Sequence, residues 1–314
     1  MTKDRRVSVA VMMGGISSER EVSLHSGQGI VSGLRQAGFD VFQAVVADES
    51  LASIRGQSFD VVFIALHGGF GEDGRLQALL EDARIAYVGS GPQASHDAMD
   101  KVVTKRKFID AGVPTAPYVV LDAMPGPAAA ADVFTRLGPR VVVKPAAQGS
   151  SIGVSIVEMD RFQPAVAEAI SFDGRVIIEP FIKGRELTVG ILGERALPVI
   201  ELKPRREFFD YTAKYQSGQT DYVVNPDLPD DLRRRISAAA LNAFLCLGCR
   251  DLARVDVMLD ENGDFFVLEV NTIPGFTETS LVPKAAKAVG LDFPALCTRL
   301  VEMAMEGAAA SRPA

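Results

Sequence analysis

The sequence predicts a mixed fold, in which an α/β unit is followed by α+β units. In the first hundred residues, short apolar runs alternate with helical patterns. Residues 98–182 mix strands and helices around a glycine-rich loop, and from residue 183 onward the strands follow one another as in hairpins. Continuous apolar strands that alternate with helices indicate a parallel sheet with helices on both faces. We therefore expect domains at residues 1–97, 98–182 and 183–314.

The first unit begins with an apolar run at residues 7–13, which two glycines interrupt. Further strands are predicted at residues 41–46, 60–66 and 85–88, and helices at residues 21–37 and 76–82. In open parallel sheets, ligands bind at the carboxyl ends of the strands. The loops at residues 14–19 and 67–74 are therefore candidate ligand loops, and His67 is a candidate substrate contact.

The second unit centres on a glycine-rich loop at residues 146–153. The pattern predicts a helix at residues 98–110, a surface loop at 124–131, strands at 140–144, 154–157 and 175–182, and a helix before the last strand. Small residues between two strands let backbone N–H groups approach a phosphate. Lys144, which ends the preceding strand, favours a phosphate site over an ordinary turn.

The third unit is predicted to be antiparallel. Strands are expected at residues 187–192 and 197–202, a helix at 230–247, and then a hairpin and C-terminal helices. Residues 205–225 form a polar and aromatic segment with little periodicity. A loop of this length inside a compact domain is usually functional or mobile.

Asn262-Gly263 lies between two alternating runs and predicts a β-hairpin with a two-residue type I′ turn. With that turn, Asp256 lies opposite Glu269. Successive side chains of a strand point to opposite faces. The polar face then carries Arg254, Asp256, Glu269 and Asn271, and the apolar face carries Val255, Val257, Leu259, Phe266, Leu268 and Val270.

Two carboxylates opposed across a ladder repel each other, because their Cβ atoms are about 5 Å apart. The arrangement is favourable if a cation lies between them. Asp256, Glu269 and Asn271 offer only oxygen ligands, which suit a hard ion such as Mg²⁺ completed by water and phosphates. The alternative is a solvated charged face on an edge hairpin.

Composition excludes several classes of protein. The chain has 314 residues, of which 47% are hydrophobic and 23% charged, so it is too apolar to be disordered. A formal net charge of −7 argues against a nucleic-acid or membrane-surface partner. The apolar runs are shorter than the ~20 residues of a membrane span, and the N-terminal run is too short for a signal peptide. Three cysteines make no disulfide framework, so we expect a cytoplasmic protein.

Eight segments together resemble the D-alanine–D-alanine ligases of the ATP-grasp superfamily. In chain order they are residues 14–24 (GGISSEREVSL), 65–68 with 71–74 (ALHG, GEDG), 99–101 (MDK), 143–145 with 149–153 (VKP, GSSIG), 211–215 (YTAKY), 254–258 (RVDVM), 268–275 (LEVNTIPG) and 280–283 (SLVP). These segments span nearly the whole chain in the family's order, and jointly they are highly specific. His67 is followed by Gly68-Gly69-Phe70, which departs from the family's usual forms and bears on the substrate loop.

The resemblance implies a three-domain ATP-grasp fold with an N-terminal Rossmann-like parallel sheet and with ATP between the other two domains. It implies that ATP phosphorylates the carboxylate of a first D-alanine and that the amine of a second D-alanine attacks the acylphosphate. The dipeptide would serve peptidoglycan precursor synthesis. Two Mg²⁺ or Mn²⁺ ions and a homodimer are implied as well.

The resemblance also implies roles for individual residues. Those expected at the first D-alanine, or closing the site over it, are Glu19, His67, Ser150 and Tyr215. Those expected at ATP are Lys101, Lys144, Ser151, Glu179, Phe181, Ile182 and Glu186, with Lys214 near the transferred phosphate. Those expected at the oxyanion, the second D-alanine and the metal ions are Arg254 with Gly275, Ser280 with Leu281, and Asp256 with Glu269 and Asn271.

Three alternatives stay open. A D-Ala–D-Ser or D-Ala–D-Lac ligase shares the chemistry, although the pair Lys214-Tyr215 favours an amine nucleophile. A non-catalytic regulator would bind nucleotide without turnover. A Rossmann dehydrogenase would use residues 89–94, which match G-x-G-x-x-A, but no convincing ribose-binding acid follows them.

Overall fold

The computed structural model describes residues 6–204 and 220–310. Within these ranges the strands are β1 (Ser8–Gly14), β2 (Asp40–Val46), β3 (Val61–Ile64), β4 (Tyr87–Val88), β5 (Val119–Leu121), β6 (Val141–Pro145), β7 (Ser155–Val157), β8 (Val176–Pro180), β9 (Gly184–Leu192), β10 (Arg195–Ala196), β11 (Ile200–Pro204), β12 (Thr220–Val224), β13 (Leu252–Asp260) and β14 (Phe265–Asn271). The helices are α1 (Arg20–Gln36), α2 (Arg75–Asp82), α3 (Pro92–Met99), α4 (Lys101–Asp110), α5 (Pro127–Leu137), α6 (Met159–Asp173), α7 (Asp230–Cys246), α8 (Leu281–Lys287) and α9 (Phe293–Ala310).

The first sheet is parallel, with strand order β2-β1-β3-β4. Its central strand is buried on both faces: Val9 and Val11 belong to one hydrophobic cluster, and Ala10 and Met12 belong to another. Helix α1 packs closely on this strand, since a Cβ atom on Gly27 would lie 2.5 Å from the Cβ of Met13. The predicted parallel sheet is thus confirmed.

The second sheet is antiparallel, with order β5-β8-β6-β7, and helices α5 and α6 pack on it. The prediction of a surface loop at residues 124–131 is wrong, because α5 begins at Pro127. Proline at the first helical position has a φ angle suited to the helix, and the alanines after it favour helix. The helix predicted at residues 98–110 is divided at Asp100, whose carboxylate accepts the N–H groups of Val102 and Val103 and so begins α4.

The third sheet is antiparallel, with order β12-β11-β9-β13-β14, and β10 pairs with β9. The segment predicted as an irregular loop covers residues 205–225. Its first part, residues 205–219, lies outside the described residues. Its end is regular, because residues 220–224 form β12 and pair with β11. Helix α7 covers one face of this sheet.

The turn of the β13–β14 hairpin differs from the prediction. The N–H of Asp260 donates to the carbonyl of Asp264 at 2.8 Å, so three residues form the turn instead of two. Gly263 takes a φ of +89°, as the left-handed position of a three-residue turn requires. The carboxylate of Asp260 also accepts the N–H groups of Asn262 and Asp264, which stabilises the longer loop.

A bulge compensates for the extra turn residue. Val257 pairs with Val267 and Asp256 pairs with Glu269, so Leu268 is the extra residue on β14. Beyond the bulge, the predicted opposition of Asp256 to Glu269 is confirmed. Between the bulge and the turn the predicted faces are wrong for β14, because Phe265 and Val267 are buried where Phe266 and Leu268 were expected, whereas Val257 and Leu259 on β13 are buried as predicted.

The units contact one another at several places, two of which involve α9 and the edge of β14. Helix α9 packs against α1 and the first sheet, so the end of the chain returns to the first unit. At the edge of β14, the N–H of Val267 donates to the carbonyl of Pro114, and the hydroxyl of Thr115 donates to the carbonyl of Val267. Over residues 6–204 and 220–310, no helix has the length and apolar character that crossing a membrane requires.

Candidate active site

A cavity of about 620 Å³ lies where the three units meet. Residues from each unit line it, and eleven of them were predicted from the sequence: Glu19, His67, Lys101, Ser150, Arg254, Asp256, Glu269, Asn271, Gly275, Ser280 and Leu281. Two further predicted residues, Lys214 and Tyr215, lie outside the described residues. The remaining six, Lys144, Ser151, Glu179, Phe181, Ile182 and Glu186, are not in the wall of this cavity.

Asp256 is held by two neighbours. The guanidinium of Arg254 donates from Nε to Oδ1 at 2.8 Å and from Nη2 to Oδ2 at 2.7 Å. Thr188 donates its hydroxyl to the same Oδ1 at 2.8 Å. These charge-assisted bonds fix the direction of the carboxylate. Sequence reasoning missed Thr188, because its strand β9 pairs with β13 from more than sixty positions away.

Glu269 and Asn271 complete the polar face of the hairpin. Asn271 Oδ1 accepts the N–H of Ile273 at 3.0 Å. Glu269 Oε2 lies 3.8 Å from the ammonium of Lys101. That ammonium also donates to the carbonyl of Gln148 at 2.6 Å, so Lys101 links the acidic face to the glycine-rich loop.

This donor set fits a hard cation that is held jointly with a ligand. In the described part of the chain, no group of three or more His, Cys, Asp and Glu side chains could hold a metal ion by itself. Asp256, Glu269 and Asn271 supply two carboxylates and one amide oxygen on one face. Mg²⁺ is usually bound by one or two carboxylates, several waters and substrate phosphates.

The glycine-rich loop contacts the start of α1. The hydroxyl of Ser150 donates to Oε1 of Glu19, a buried carboxylate that precedes the helix. Ser150 and Ser151 have φ angles of +52° and +59°, a conformation that costs non-glycine residues roughly 1–2 kcal/mol each. A Cβ atom on Gly68 would lie 2.8 Å from Glu19 Oε2, so a glycine is needed there for the approach.

His67 is held through both ring nitrogens. Its Nε2 lies 3.1 Å from Ser26 Oγ, and its Nδ1 lies 3.5 Å from Glu72 Oε1. Ser26 also accepts the N–H of Phe276 at 3.3 Å. Sequence reasoning missed Ser26, which connects α1 to the histidine and to the backbone just after Gly275.

Lys144 and Glu179 form a buried cluster with a third residue. Glu179 lies 2.5 Å from the ammonium of Lys144 and 2.9 Å from that of Lys105. Burial alone would raise the pKa of Glu179, but the two lysines lower it far below its usual value. Sequence reasoning missed Lys105, although it lies four positions after Lys101 on one helix, a spacing that places both on the same side.

The connection after Glu179 carries the other residues expected at ATP. Phe181 and Ile182 lie between β8 and β9, and Phe181 N–H donates to the carbonyl of Arg140 at 3.0 Å. Glu186 lies on β9 opposite Met258. Ser151 lies in the glycine-rich loop.

The loop that resembles a dinucleotide motif has another use. The N–H of Gly89 donates to Asp251 at 2.8 Å, and the Gly89 carbonyl accepts a bond from Arg250 at 2.8 Å. A phosphate would need that N–H group as a donor. The structure therefore gives the dehydrogenase alternative no support.

Two antiparallel sheets belong to the units that meet at this cavity. One carries Lys144 and the glycine-rich loop, and the other carries an acidic pair beside an arginine. This arrangement defines the class of ATP-grasp enzymes. Models of known families identify the particular family: "D-ala D-ala ligase C-terminus" matches residues 108–302, and "D-ala D-ala ligase N-terminus" matches residues 46–90.

Whole relatives agree with the family models. The chain is 44% identical over 303 residues to a D-alanine–D-alanine ligase of Desulforudis audaxviator, covering 95% of this chain and 98% of that one. The D-alanine–D-alanine ligase of Bacillus anthracis superposes with a TM-score of 0.86 at 34% identity, over 98% of this chain and all of that one. Its complex with ATP has the same TM-score at 33% identity, with the same coverage. The VanG D-Ala:D-Ser ligase of Enterococcus faecalis reaches 0.82 at 28% identity, over 96% of this chain and all of that one.

The chain therefore belongs to the D-alanine–D-alanine ligase family, whose members are ATP-dependent ligases. The predicted ATP-grasp fold is confirmed. The roles of individual site residues stay predictions.

Proposed function

We propose that this chain joins two D-alanine molecules into D-alanyl-D-alanine at the cavity between its three units, through an acylphosphate made with ATP. The observation that carries the proposal is the meeting in one cavity of an acidic face, a phosphate-type loop and a buried carboxylate, each supplied by a different unit. Such a cavity can hold a nucleotide phosphate and two small amino acids together.

The first D-alanine would lie near Glu19. That carboxylate can accept the substrate ammonium while the Ser150 hydroxyl keeps it in place. The substrate carboxylate then attacks the terminal phosphorus of ATP, a P–O bond forms, and ADP leaves. Contact between the glycine-rich loop and α1 covers the product, which keeps water from hydrolysing the acylphosphate.

The second step places charge on an oxygen. The amine of the second D-alanine attacks the acyl carbon and loses a proton, and phosphate leaves from the tetrahedral intermediate. Arg254 and the N–H of Gly275 both line the cavity and would stabilise the oxyanion. One such donor is typically worth about 3–4 kcal/mol in the transition state.

The nucleotide would lie between the second and third sheets. Lys101, Lys144 and Ser151 would contact phosphates, with Lys214 near the transferred one. The adenine and ribose would contact four other residues expected at ATP: Glu179, Phe181, Ile182 and Glu186. Asp256, Glu269 and Asn271 would hold two Mg²⁺ or Mn²⁺ ions, which supply positive charge to the phosphates.

Ser280 and Leu281, at the start of α8, would bind the second D-alanine, and Tyr215 would help to close the site. A D-Ala–D-Ser ligase is the near alternative, because the Enterococcus faecalis relative carries that name. We further propose a cytoplasmic homodimer that supplies peptidoglycan precursor synthesis, with domains at residues 1–97, 98–182 and 183–314.

The first experiment measures phosphate release from ATP with Mg²⁺ and D-alanine, with L-alanine as the control, and identifies the product by mass spectrometry. We expect release with D-alanine and the mass of dialanine. Competition between D-alanine and D-serine then tests the near alternative. Folded protein that binds ATP but releases no phosphate would contradict the proposal.

A further inference from the structure

Lys284 is a partly buried cation in the wall of the cavity. It lies on α8, one turn after Ser280 and Leu281, and lines the cavity with them. Within residues 6–204 and 220–310, no carboxylate oxygen lies within 4.0 Å of its ammonium. Burial lowers the pKa of Lys284, because the charged form loses hydration without a carboxylate to compensate.

Two contacts hold this side chain against the wall. The ammonium donates to the carbonyl of Thr279 and lies 5.0 Å from the centroid of the Tyr222 ring. An ammonium has three N–H donors, and a carbonyl takes one of them. The ring face attracts the cation but leaves the other donors for a ligand.

The neighbouring Lys287 behaves differently. It lies on the same helix, is 71% exposed and has Glu278 as a partner at 3.8 Å. That pair is an ordinary surface ion pair, which contributes little to stability. Helix α8 therefore carries two lysines in different surroundings: Lys287 faces solvent, whereas Lys284 faces the cavity.

The anion that this position fits is a small carboxylate. Ser280, four residues earlier, has a hydroxyl bonded to Thr277 at 2.9 Å through both the N–H and the Oγ1 of that residue. The hydroxyl is thus fixed in direction, one helical turn before Lys284 and in the wall of the same cavity. A fixed hydroxyl and a partly buried ammonium in one wall can together form a charge-assisted site for one carboxylate.

We propose that Lys284 binds the carboxylate of the second D-alanine and thereby selects acceptors that carry a carboxylate. The inference rests on the proposed function and deepens it, since it concerns the acceptor end of the same cavity. In the proposed arrangement the first D-alanine, whose carboxylate becomes phosphorylated, lies near Glu19 and not at Lys284.

The test compares Lys284→Met with Lys287→Met, which removes the same charge from the same helix on its exposed side. Initial rates over a range of D-alanine concentrations resolve KM for the first and the second substrate. We expect Lys284→Met to raise the second KM about tenfold or more, since a charge-assisted hydrogen bond is lost. In the same variant, KM for ATP and KM for the first D-alanine should stay within about twofold of the wild-type values. Lys287→Met should have the KM values of the wild type, because it removes only a surface ion pair.

A second arm uses D-alaninamide, which has the acceptor amine but no carboxylate. Lys284→Met should ligate it as fast as the wild type, and Lys284→Arg should recover most of the affinity for D-alanine. Lys284→Gln serves if the methionine variant does not fold, with KM for ATP as the check on folding.

Three results would overturn the inference: an unchanged second KM, an equal loss with the amide acceptor, or a rise confined to KM for ATP. The last result would place a nucleotide phosphate at Lys284. Wild-type protein that forms no dipeptide would instead contradict the proposed function itself, so the two failures are distinguishable.

Discussion

The ammonium of Lys105 lies 2.9 Å from Glu179, although the lysine is only 1% exposed and the glutamate is buried as well. The same ammonium donates to Thr115 Oγ1 at 2.8 Å and to the carbonyl of Ala116 at 2.9 Å. Thr115 in turn bonds the edge of β14 at Val267. Lys105 therefore links the strand that carries Glu179 to the hairpin that carries the acidic pair.

Replacing Lys105 by methionine should destabilise the protein strongly. Glu179 would keep Lys144 as a partner but lose half of the charge that compensates its burial. Removing one member of a buried ion pair typically costs about 3–5 kcal/mol. Urea unfolding measures this loss, and KM for ATP should rise as well if Glu179 contacts the nucleotide.

Lys107→Met is the matched control for that variant. Lys107 lies on the same helix, is partly exposed and pairs with Asp97 at 2.6 Å. Lys107 is 37% exposed, and the buried carboxylate of Asp97 keeps its contacts with Gln93 and His96, so we expect a smaller loss of stability in this variant than in Lys105→Met. If the two variants lose the same free energy of unfolding, the burial of Lys105 beside Glu179 does not make that ion pair more important for stability.

Asp256→Asn should abolish turnover while the fold persists. The amide keeps an acceptor for Thr188 but loses the charge that Arg254 and a metal ion require. Phosphate release in Mg²⁺ measures the effect, and circular dichroism checks the fold. Asp260→Asn, on the same hairpin, keeps its turn hydrogen bonds and should stay active. Full activity of the Asp256 variant would remove the acidic face from the site.

The hairpin shows what could be predicted from the sequence and what could not. Alternation of apolar and polar residues identified the two strands, and opposed carboxylates identified the polar face. The turn was predicted with two residues but has three, and the bulge at Leu268 returns Asp256 and Glu269 to opposite positions. The correct pairing therefore came from two errors that cancel, since a bulge leaves no clear signal in one sequence.

Long-range neighbours explain the other omissions. Thr188, Lys105 and Ser26 each contact a predicted site residue, yet each comes from a different part of the chain. Propensity and periodicity describe local structure, whereas these contacts depend on how sheets and helices are arranged. The motif residues could be found because the resemblance to a family covers nearly the whole chain.

Substitutions of Glu19 and Ser150 should be energetically coupled, because the two side chains share one hydrogen bond. Ser150→Ala removes the hydroxyl that holds the carboxylate, and Glu19→Gln weakens the same bond from the other side. Each variant should lower kcat/KM for D-alanine by about tenfold or more, as the loss of a hydrogen bond to a charged group predicts. In the double variant, the loss of kcat/KM expressed as a free energy should be clearly smaller than the sum of the two single losses, because both substitutions remove the same hydrogen bond. Strictly additive losses would show that the two side chains act separately.

Asp251 offers a prediction about pH. It accepts the N–H of Gly89 and has a φ of +62°, and burial raises the pKa of its carboxyl although that N–H group and Arg250 oppose the shift. The folded protein therefore binds this proton more tightly than the unfolded chain does. The free energy of unfolding must fall as pH rises from the unfolded pKa through the raised folded pKa.

Asp251→Asn should remove this decrease in the free energy of unfolding with rising pH. Asparagine accepts the same N–H and tolerates a left-handed conformation, but it carries no charge to bury. The variant should be more stable than the wild type at pH 7, and the difference should shrink as pH falls through the folded pKa of Asp251. Urea unfolding from pH 7 down to the unfolded pKa of an aspartate, about pH 4, measures the trend. Glu81→Gln, at an exposed ion pair with Arg250, controls for loss of charge at the same contact. If Asp251→Asn is instead less stable at pH 7, attraction between the Asp251 carboxylate and Arg250 outweighs the cost of its burial.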